Sequence, residues 1–373
     1  MSIGSFIGAQ LGKVRKDLPV NSRKGDSATV AQLAEFDEII DTRSESEFAE
    51  DHIPGAINCP VLNDAERARV GTIYKQMSPF DAKKLGAALV SRNIAAHIDA
   101  TFAQRPRAWR PLVYCWRGGS RSGALTHVLR QVGWRAAQLD GGYKTYRRVV
   151  IDDLEILPQR YSWRVVCGLT GSGKSRLLRA LAQQGAQVLD LEALAAHRGS
   201  VLGNLPNEPQ PAQKMFDSLV WSALRGFDRA RPVFVEAESK KIGNLRVPQT
   251  LIAAMWESAC VRLEASIELR VTMLMQEYRH FVADAASLGI QLECLVTHYG
   301  RQQIAEWKVM AAGGNWEALV RELLEMHYDP AYTRSTLKHY PQLARGNPLV
   351  VTANEDSAFE HIAAQCHRHS AQN

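Results

Sequence analysis

A chain of 373 residues, 46% hydrophobic and 23% charged, has the make-up of a globular protein of about two domains, which excludes disordered, collagenous and coiled-coil classes. Its formal net charge of +6 suits an anionic partner as readily as a solvated basic surface. The cysteines at 59, 115, 167, 260, 294 and 366 form no CxxC pair and no zinc-like grouping with histidine, so neither a disulfide framework nor a resident metal is expected.

The opening MSIGSFIGAQLGKVRKD puts its basic residues after a short apolar stretch, the reverse of a secretory leader. No apolar run of about 18 residues follows, so no membrane span is expected and a reducing cytoplasm is the natural address. Residues 36–41, FDEIID, and 111–115, PLVYC, read as buried parallel strands that each empty into a loop. Between them 78–92 has helical spacing behind a serine cap, and 122–132 predicts another helix. Residues 136–139 lead into a turn at Gly141 and Gly142. A basic, proline-marked joint over 144–161 separates this α/β layer, residues 1–150, from a second unit over 160–373. There, strands are expected at 163–168, 187–191, 232–236 and 260–264, and helices at 174–184, 211–227 and 266–288. From about 291 the chain reads as helical, ending with a strand near 348–352 and a last helix.

Residues 168–175, GLTGSGKS, fit the GxxxxGK[ST] pattern between a strand and a helix, the context that pattern needs. Gly168, Gly171 and Gly173 let the backbone wrap an anion. The N–H groups, that of Ser172 among them, and the helix N-terminus then face it, and Lys174 adds a full charge. Ser175 is placed to share an accompanying magnesium ion. Asp190, Glu236 and Glu238 lie at strand ends where acids approach bound phosphates, although each is equally suited to capping or to the surface. By itself the loop serves a nucleotide or any diphosphate ester.

Cys115 follows an apolar strand and precedes Trp116, Arg117, two glycines, Ser120, Arg121 and a helix. A thiolate there is stabilised by loop N–H groups, the helix N-terminus and, on this reading, Arg117 and Arg121. The other five cysteines lack such surroundings and are expected to be inert.

The run Asp41-Thr42-Arg43, Glu47-Phe48 and His52 to Asn58 resembles the first rhodanese signature, and 139–143, LDGGY, resembles the segment that closes that fold. The resemblance implies that Cys115 carries sulfur or selenium as a persulfide or perselenide. Five residues separate Cys115 from Arg121, one more than in common sulfurtransferases. That CX5R spacing is shared with rhodanese-fold phosphatases, and a wider ring suits a tetrahedral phosphorus group such as selenophosphate. A rhodanese-like parallel-sheet domain followed by a P-loop NTPase-like α/β domain with a helical C-terminal region resembles the tRNA 2-selenouridine synthase family. Supporting segments are DLEALAAHRGS at 190–200, EAESKKIG at 236–243 and HYDPAY at 327–332. The resemblance implies a transferase that converts wobble 2-thiouridine in tRNA to 2-selenouridine through an S-geranyl intermediate. Geranyl diphosphate and selenophosphate are its implied substrates, with no tightly bound cofactor, and a monomer is expected. Lys240, Lys241, Arg246, Arg262, Arg270, Arg301, Lys308, Arg334 and Lys338 are candidates for tRNA contact. Trp307, Trp316, Tyr328, Tyr332 and Tyr340 are candidates for base stacking or, equally, for core positions. The rival readings are a P-loop kinase or ATPase with an accessory rhodanese domain, and a CX5R phosphatase.

Overall fold

The structure is a computed structural model and describes residues 27–370 apart from 207, 341 and 344–346. The N-terminal segment read above as lacking a secretory leader lies outside the described residues. Two compact units result, one made of residues up to 153 together with 212–222, the other of 154–211 with residues from 223 on. Among the described residues no helix is long and apolar enough to cross a membrane.

In the first unit five strands pair in parallel, in the order Ser27–Ala28, Ala137–Leu139, Pro111–Tyr114, Glu38–Asp41, Ile57–Asn58. Pro111–Tyr114 is central and buried along its whole length, as its unbroken apolar run requires. Ile40, Val113, Leu125, Leu129, Phe102 and Trp109 form the core beside it. The helix expected at 78–92 runs Pro79–His97, with the Ser78 hydroxyl accepting the Asp81 N–H at 3.2 Å. A helix before it, Asp64–Gln76, buries none of its residues. Its start carries a capping box, Asn63 accepting the Glu66 N–H at 2.8 Å and Glu66 the Asn63 N–H at 3.1 Å, and its half-buried side presents Val70 and Ile73.

The strand Glu38–Asp41 ends on a buried ion pair. Arg43 donates to Asp41 through Nε at 3.0 Å and Nη2 at 2.6 Å, and Nη2 also reaches the Asp51 carbonyl at 2.6 Å. The guanidinium lies 4.0 Å from the centre of the Tyr143 ring. Both ions are 1% exposed or less, so losing either partner strands a buried charge at a cost of about 3–5 kcal/mol. The same corner buries Asp51, whose carboxylate accepts hydroxyls from Tyr143 at 2.8 Å and Ser218 at 2.7 Å.

The stretch 144–161 is not an open joint. It forms the helix Gly142–Ile156 followed by a 3-10 turn, Leu157–Arg160. Its charged residues alternate at helical spacing with Tyr146, Val150 and Leu154, which are buried.

The second unit has its own five-stranded parallel sheet, ordered Leu349–Val351, Ala259–Ala265, Trp163–Cys167, Val233–Glu236, Gln187–Leu189. Helices Lys174–Gln183 and Asp356–Ser370 share a core with it built on Val166, Leu178, Phe234, Leu263 and Phe359. The single helix expected at 266–288 is three: Ile267–Glu277, Arg279–Ala283 and Ala285–Leu292. Non-helical backbone at Tyr278 and Asp284 divides them, and the Asp284 carboxylate then caps the third at the Ser287 N–H, 3.1 Å away.

Candidate functional site

Two sites stand in different units. The first is the turn from Tyr114 into the helix Ser120–Val132. Cys115 Sγ is buried and accepts the Gly119 N–H at 3.3 Å and the Ser122 hydroxyl at 3.1 Å. Gln138 Nε2 donates to Ser122 Oγ at 2.8 Å. That donation fills an acceptor position of the Ser122 oxygen, whose one proton has the sulfur at 3.1 Å and the Gly119 carbonyl at 3.3 Å before it. The turn closes against glycine alone. Gly118 has φ +63°, and a Cβ on Gly142, φ +57°, would lie 2.3 Å from the Cys115 carbonyl. This close approach lets the Tyr143 N–H bond that carbonyl at 2.8 Å.

Burial raises the Cys115 thiol pKa. The Ser122 hydroxyl and the N–H groups of Ser122, Gly119 and Arg117 outweigh it, leaving the thiol below its ordinary value. The arginines do not act as the sequence suggested. Arg121 Nη1 donates to Glu47 at 3.0 Å, Glu47 is shared with Arg67 at 3.1 Å, and the Arg117 side chain is exposed, only its N–H turning to the sulfur. Of the other cysteines, burial pushes Cys59 up to about 12 and Cys366 up to about 11. The Cys260 thiol is lowered by a hydrogen bond from Cys167.

Ser122→Ala removes the only side-chain donor to the sulfur among the described residues. The thiol pKa then rises, so alkylation of Cys115 by iodoacetamide at pH 7 slows about five- to tenfold and its pH–rate midpoint moves to higher pH. An unmoved midpoint would show that the backbone donors suffice.

The second site is the turn between Trp163–Cys167 and Lys174–Gln183. Gly171 and Gly173 take φ +78° and +86°, and a Cβ on Gly173 would meet the Phe359 ring at 2.5 Å. Lys174 Nζ folds back onto the Gly168 carbonyl at 2.9 Å, and Ser175 donates to Glu192 at 2.8 Å. The HYDPAY segment braces the turn from outside. Tyr332 Oη accepts the Gly168 N–H at 2.6 Å, and Asp329 holds Arg270, whose Nε reaches the Thr170 carbonyl at 2.8 Å.

A cleft of about 570 Å³ opens over this loop, lined by Gly171, Gly173, Lys174, Ser175, Asp190 and Glu238 among the expected residues. Gly168, Ser172 and Glu236 do not line it. Glu236 is 1% exposed and accepts the Glu192 N–H at 2.9 Å, so it positions that residue from beneath. Asp190 also caps the short helix Leu191–Leu194 at the Ala193 N–H, 2.9 Å. Sequence reasoning missed Glu192. Its signal was its place two residues after Asp190, at the start of that helix.

Burial raises Glu192 to about 6 against the pull of Lys174, and raises Glu238 to about 8 with Glu192 adding to the rise. At neutral pH part of the acid cluster therefore keeps its protons, and Lys174 is not overwhelmed by negative charge. Among the described residues no group of three or more histidine, cysteine or acidic side chains is set to hold a metal ion.

A second, apolar chamber of about 60 Å³ opens beside the cleft. The two share Thr170, Ser200, Leu274, Tyr278 and Tyr328. Its remaining wall includes Phe281, Leu288, Trp316, Leu319, Val320 and Leu323.

Several candidates for RNA contact are otherwise engaged. Arg270 is 3% exposed, Arg262 pairs with Glu264, and Lys308 pairs with Glu293. Trp307 and Tyr340 are core residues, the Trp307 indole donating to Glu322 at 2.9 Å. Lys241, Arg301, Arg334 and Lys338 remain exposed.

Comparison with known proteins gives a match of residues 26–148 to the rhodanese-like domain and of 161–299 to the tRNA 2-selenouridine synthase AAA domain. The tRNA 2-selenouridine synthase of Marinobacter nauticus is 33% identical over 352 residues, 84% of this chain and 92% of that protein. That of Cupriavidus necator is 33% identical over 347 residues, with 84% and 92% covered. The Nitrosomonas europaea protein of the same name is 36% identical over 248 residues, 64% of this chain and 63% of its own length.

Proposed function

The chain belongs to the tRNA 2-selenouridine synthase family, and from that membership we propose that it replaces the sulfur of 2-thiouridine in tRNA by selenium. The donors in this reading are geranyl diphosphate, at the phosphate loop, and selenophosphate, at Cys115. The observation that carries it is the Cys115 thiol, ringed by N–H and hydroxyl donors and lowered in pKa at the start of a helix.

Sulfur bound at C2 of the base leaves poorly until it is alkylated. In the first step it attacks C1 of geranyl diphosphate. An S–C bond forms, the C–O bond to diphosphate breaks, and the N3 proton of the base passes to solvent. Lys174 and the loop N–H groups stabilise the departing charge. A magnesium ion accompanying the diphosphate would find Ser175 and Glu192 as oxygen ligands, its other positions taken by phosphate and water.

Selenium has the same oxidation level in selenophosphate and in the selenated base, so the exchange needs no oxidant. Attack of the Cys115 thiolate on phosphorus forms S–P, breaks P–Se and releases hydrogen selenide ion. That ion adds at C2 and expels geranyl thiol, and water then clears the phosphocysteine as orthophosphate. Attack at selenium would instead leave phosphite and a perselenide that needs a reductant. The width of the CX5R loop suits the tetrahedral phosphorus.

The test is nucleoside mass spectrometry of a 2-thiouridine RNA incubated with the protein and both donors. S-geranyl-2-thiouridine should appear with the diphosphate alone, and 2-selenouridine with both. ATP turnover without either product would favour the kinase or ATPase reading.

A further inference from the structure

The apolar chamber beside the phosphate cleft lies where two helical clusters meet, one around Trp307, Leu292 and Leu295 and the other on Val271, Leu274 and Leu324. Because Thr170 of the phosphate loop lines both spaces, whatever hangs from a phosphate on that loop has two ways to turn. One leads among Glu192, Glu238 and Lys174. The other leads into the chamber.

The chamber's side-chain oxygens belong to Thr170, Ser200, Tyr278 and Tyr328, all of them residues shared with the cleft. Apart from the Trp316 indole, the rest of the wall is hydrocarbon and thioether. A nucleobase would bring ring nitrogens and amino groups to a surface that answers almost none of them. A branched hydrocarbon loses nothing there and leaves water.

We propose that this chamber holds the terminal isoprene unit of a prenyl diphosphate whose phosphates sit on Gly168–Ser175, and that its depth selects the chain length. The proposal rests on the prenyl-donor reading above. An apolar cavity of roughly 150 Å³ takes a benzene ring, so the chamber's volume of about 60 Å³ takes the branched dimethyl tip of one five-carbon unit and nothing longer. A ten-carbon chain then lays its first unit along Thr170 and Leu274 and its second inside. A five-carbon chain stops short of the chamber, and a fifteen-carbon chain leaves a unit in water.

Val320 is a half-buried wall residue, and Val320→Phe fills the chamber. By calorimetric titration of the full chain, geranyl diphosphate should bind at least about tenfold more weakly to this variant. Dimethylallyl diphosphate and inorganic diphosphate should bind as to the parent. Unchanged geranyl diphosphate binding overturns the proposal. Leu319→Ala enlarges the chamber and should raise the ratio of farnesyl to geranyl transfer onto 2-thiouridine RNA about tenfold. An unchanged ratio also overturns it, and this readout decides the matter if Val320→Phe loses inorganic diphosphate as well. Failure of the underlying reading looks different. A parent protein that transfers no prenyl group at all removes donor and chamber together, whereas transfer that ignores both substitutions removes the chamber alone.

Discussion

Cys115→Ser should abolish 2-selenouridine formation, lowering its rate at least about a thousandfold, while S-geranyl-2-thiouridine continues to form and accumulates. A serine hydroxyl fits the same turn and can accept from Gly119 and Ser122, so the fold is kept. What is lost is the more acidic nucleophile, since a thiol lowered by its neighbours is exchanged for an alcohol that stays protonated. The parent protein, quenched during turnover with selenophosphate, should carry a phosphoryl group on Cys115 in its intact mass. Selenation at the parent rate in the variant would remove Cys115 from the chemistry. A selenium adduct in place of the phosphoryl group would move the attack from phosphorus to selenium.

Lys174→Ala should strike the opposite half. Geranyl transfer is expected to fall by a factor on the order of 10²–10³, the usual loss when one charge-stabilising donor to a leaving group is removed. The lysine now bonds the Gly168 and Leu169 carbonyls of its own loop, so it is held over the place where phosphates would sit. RNA geranylated beforehand should still be selenated by this variant with selenophosphate, because that step does not use the loop. Parent-like geranylation by Lys174→Ala would disqualify the phosphate loop as the diphosphate site.

The two loops were legible because each is dictated by local chemistry. Glycines at 171 and 173 are required where the backbone turns through positive φ against the Phe359 ring, and a cysteine between an apolar strand and a helix start has few other reasons to be flanked by paired glycines. Buried strands likewise announce themselves as short apolar runs, and the second sheet follows them closely, whereas the two-residue edge strands Ser27–Ala28 and Ile57–Asn58 of the first carry no such run. The partners of these loops were harder to see. Ser122 reaches the sulfur at 3.1 Å and Gln138 reaches Ser122 at 2.8 Å only because a helix and a neighbouring strand bring them together, and neither differs in sequence from an ordinary polar residue. Arg121 looked like a thiolate partner until Glu47, 74 positions earlier, took it. Asp64–Gln76 escaped because its inward side, Val70 and Ile73, is narrow and only half-buried, leaving the Asn63–Glu66 capping box as its clearest mark. The break at Tyr278 escaped because no proline or glycine marks it, and that break lies in the wall of the apolar chamber.

The corner that buries Asp51 has a bearing on the order in which the chain can mature during synthesis. One of the two hydroxyls received by that carboxylate comes from Tyr143, but the other comes from Ser218, in a segment that rejoins the first unit only after the phosphate loop has been made. A nascent chain that has reached Asp153 therefore holds every strand of its first sheet yet cannot finish dressing the buried carboxylate of Asp51. The scaffold around Cys115 completes itself late, and a gene fragment ending at the apparent boundary would encode an unfinished module.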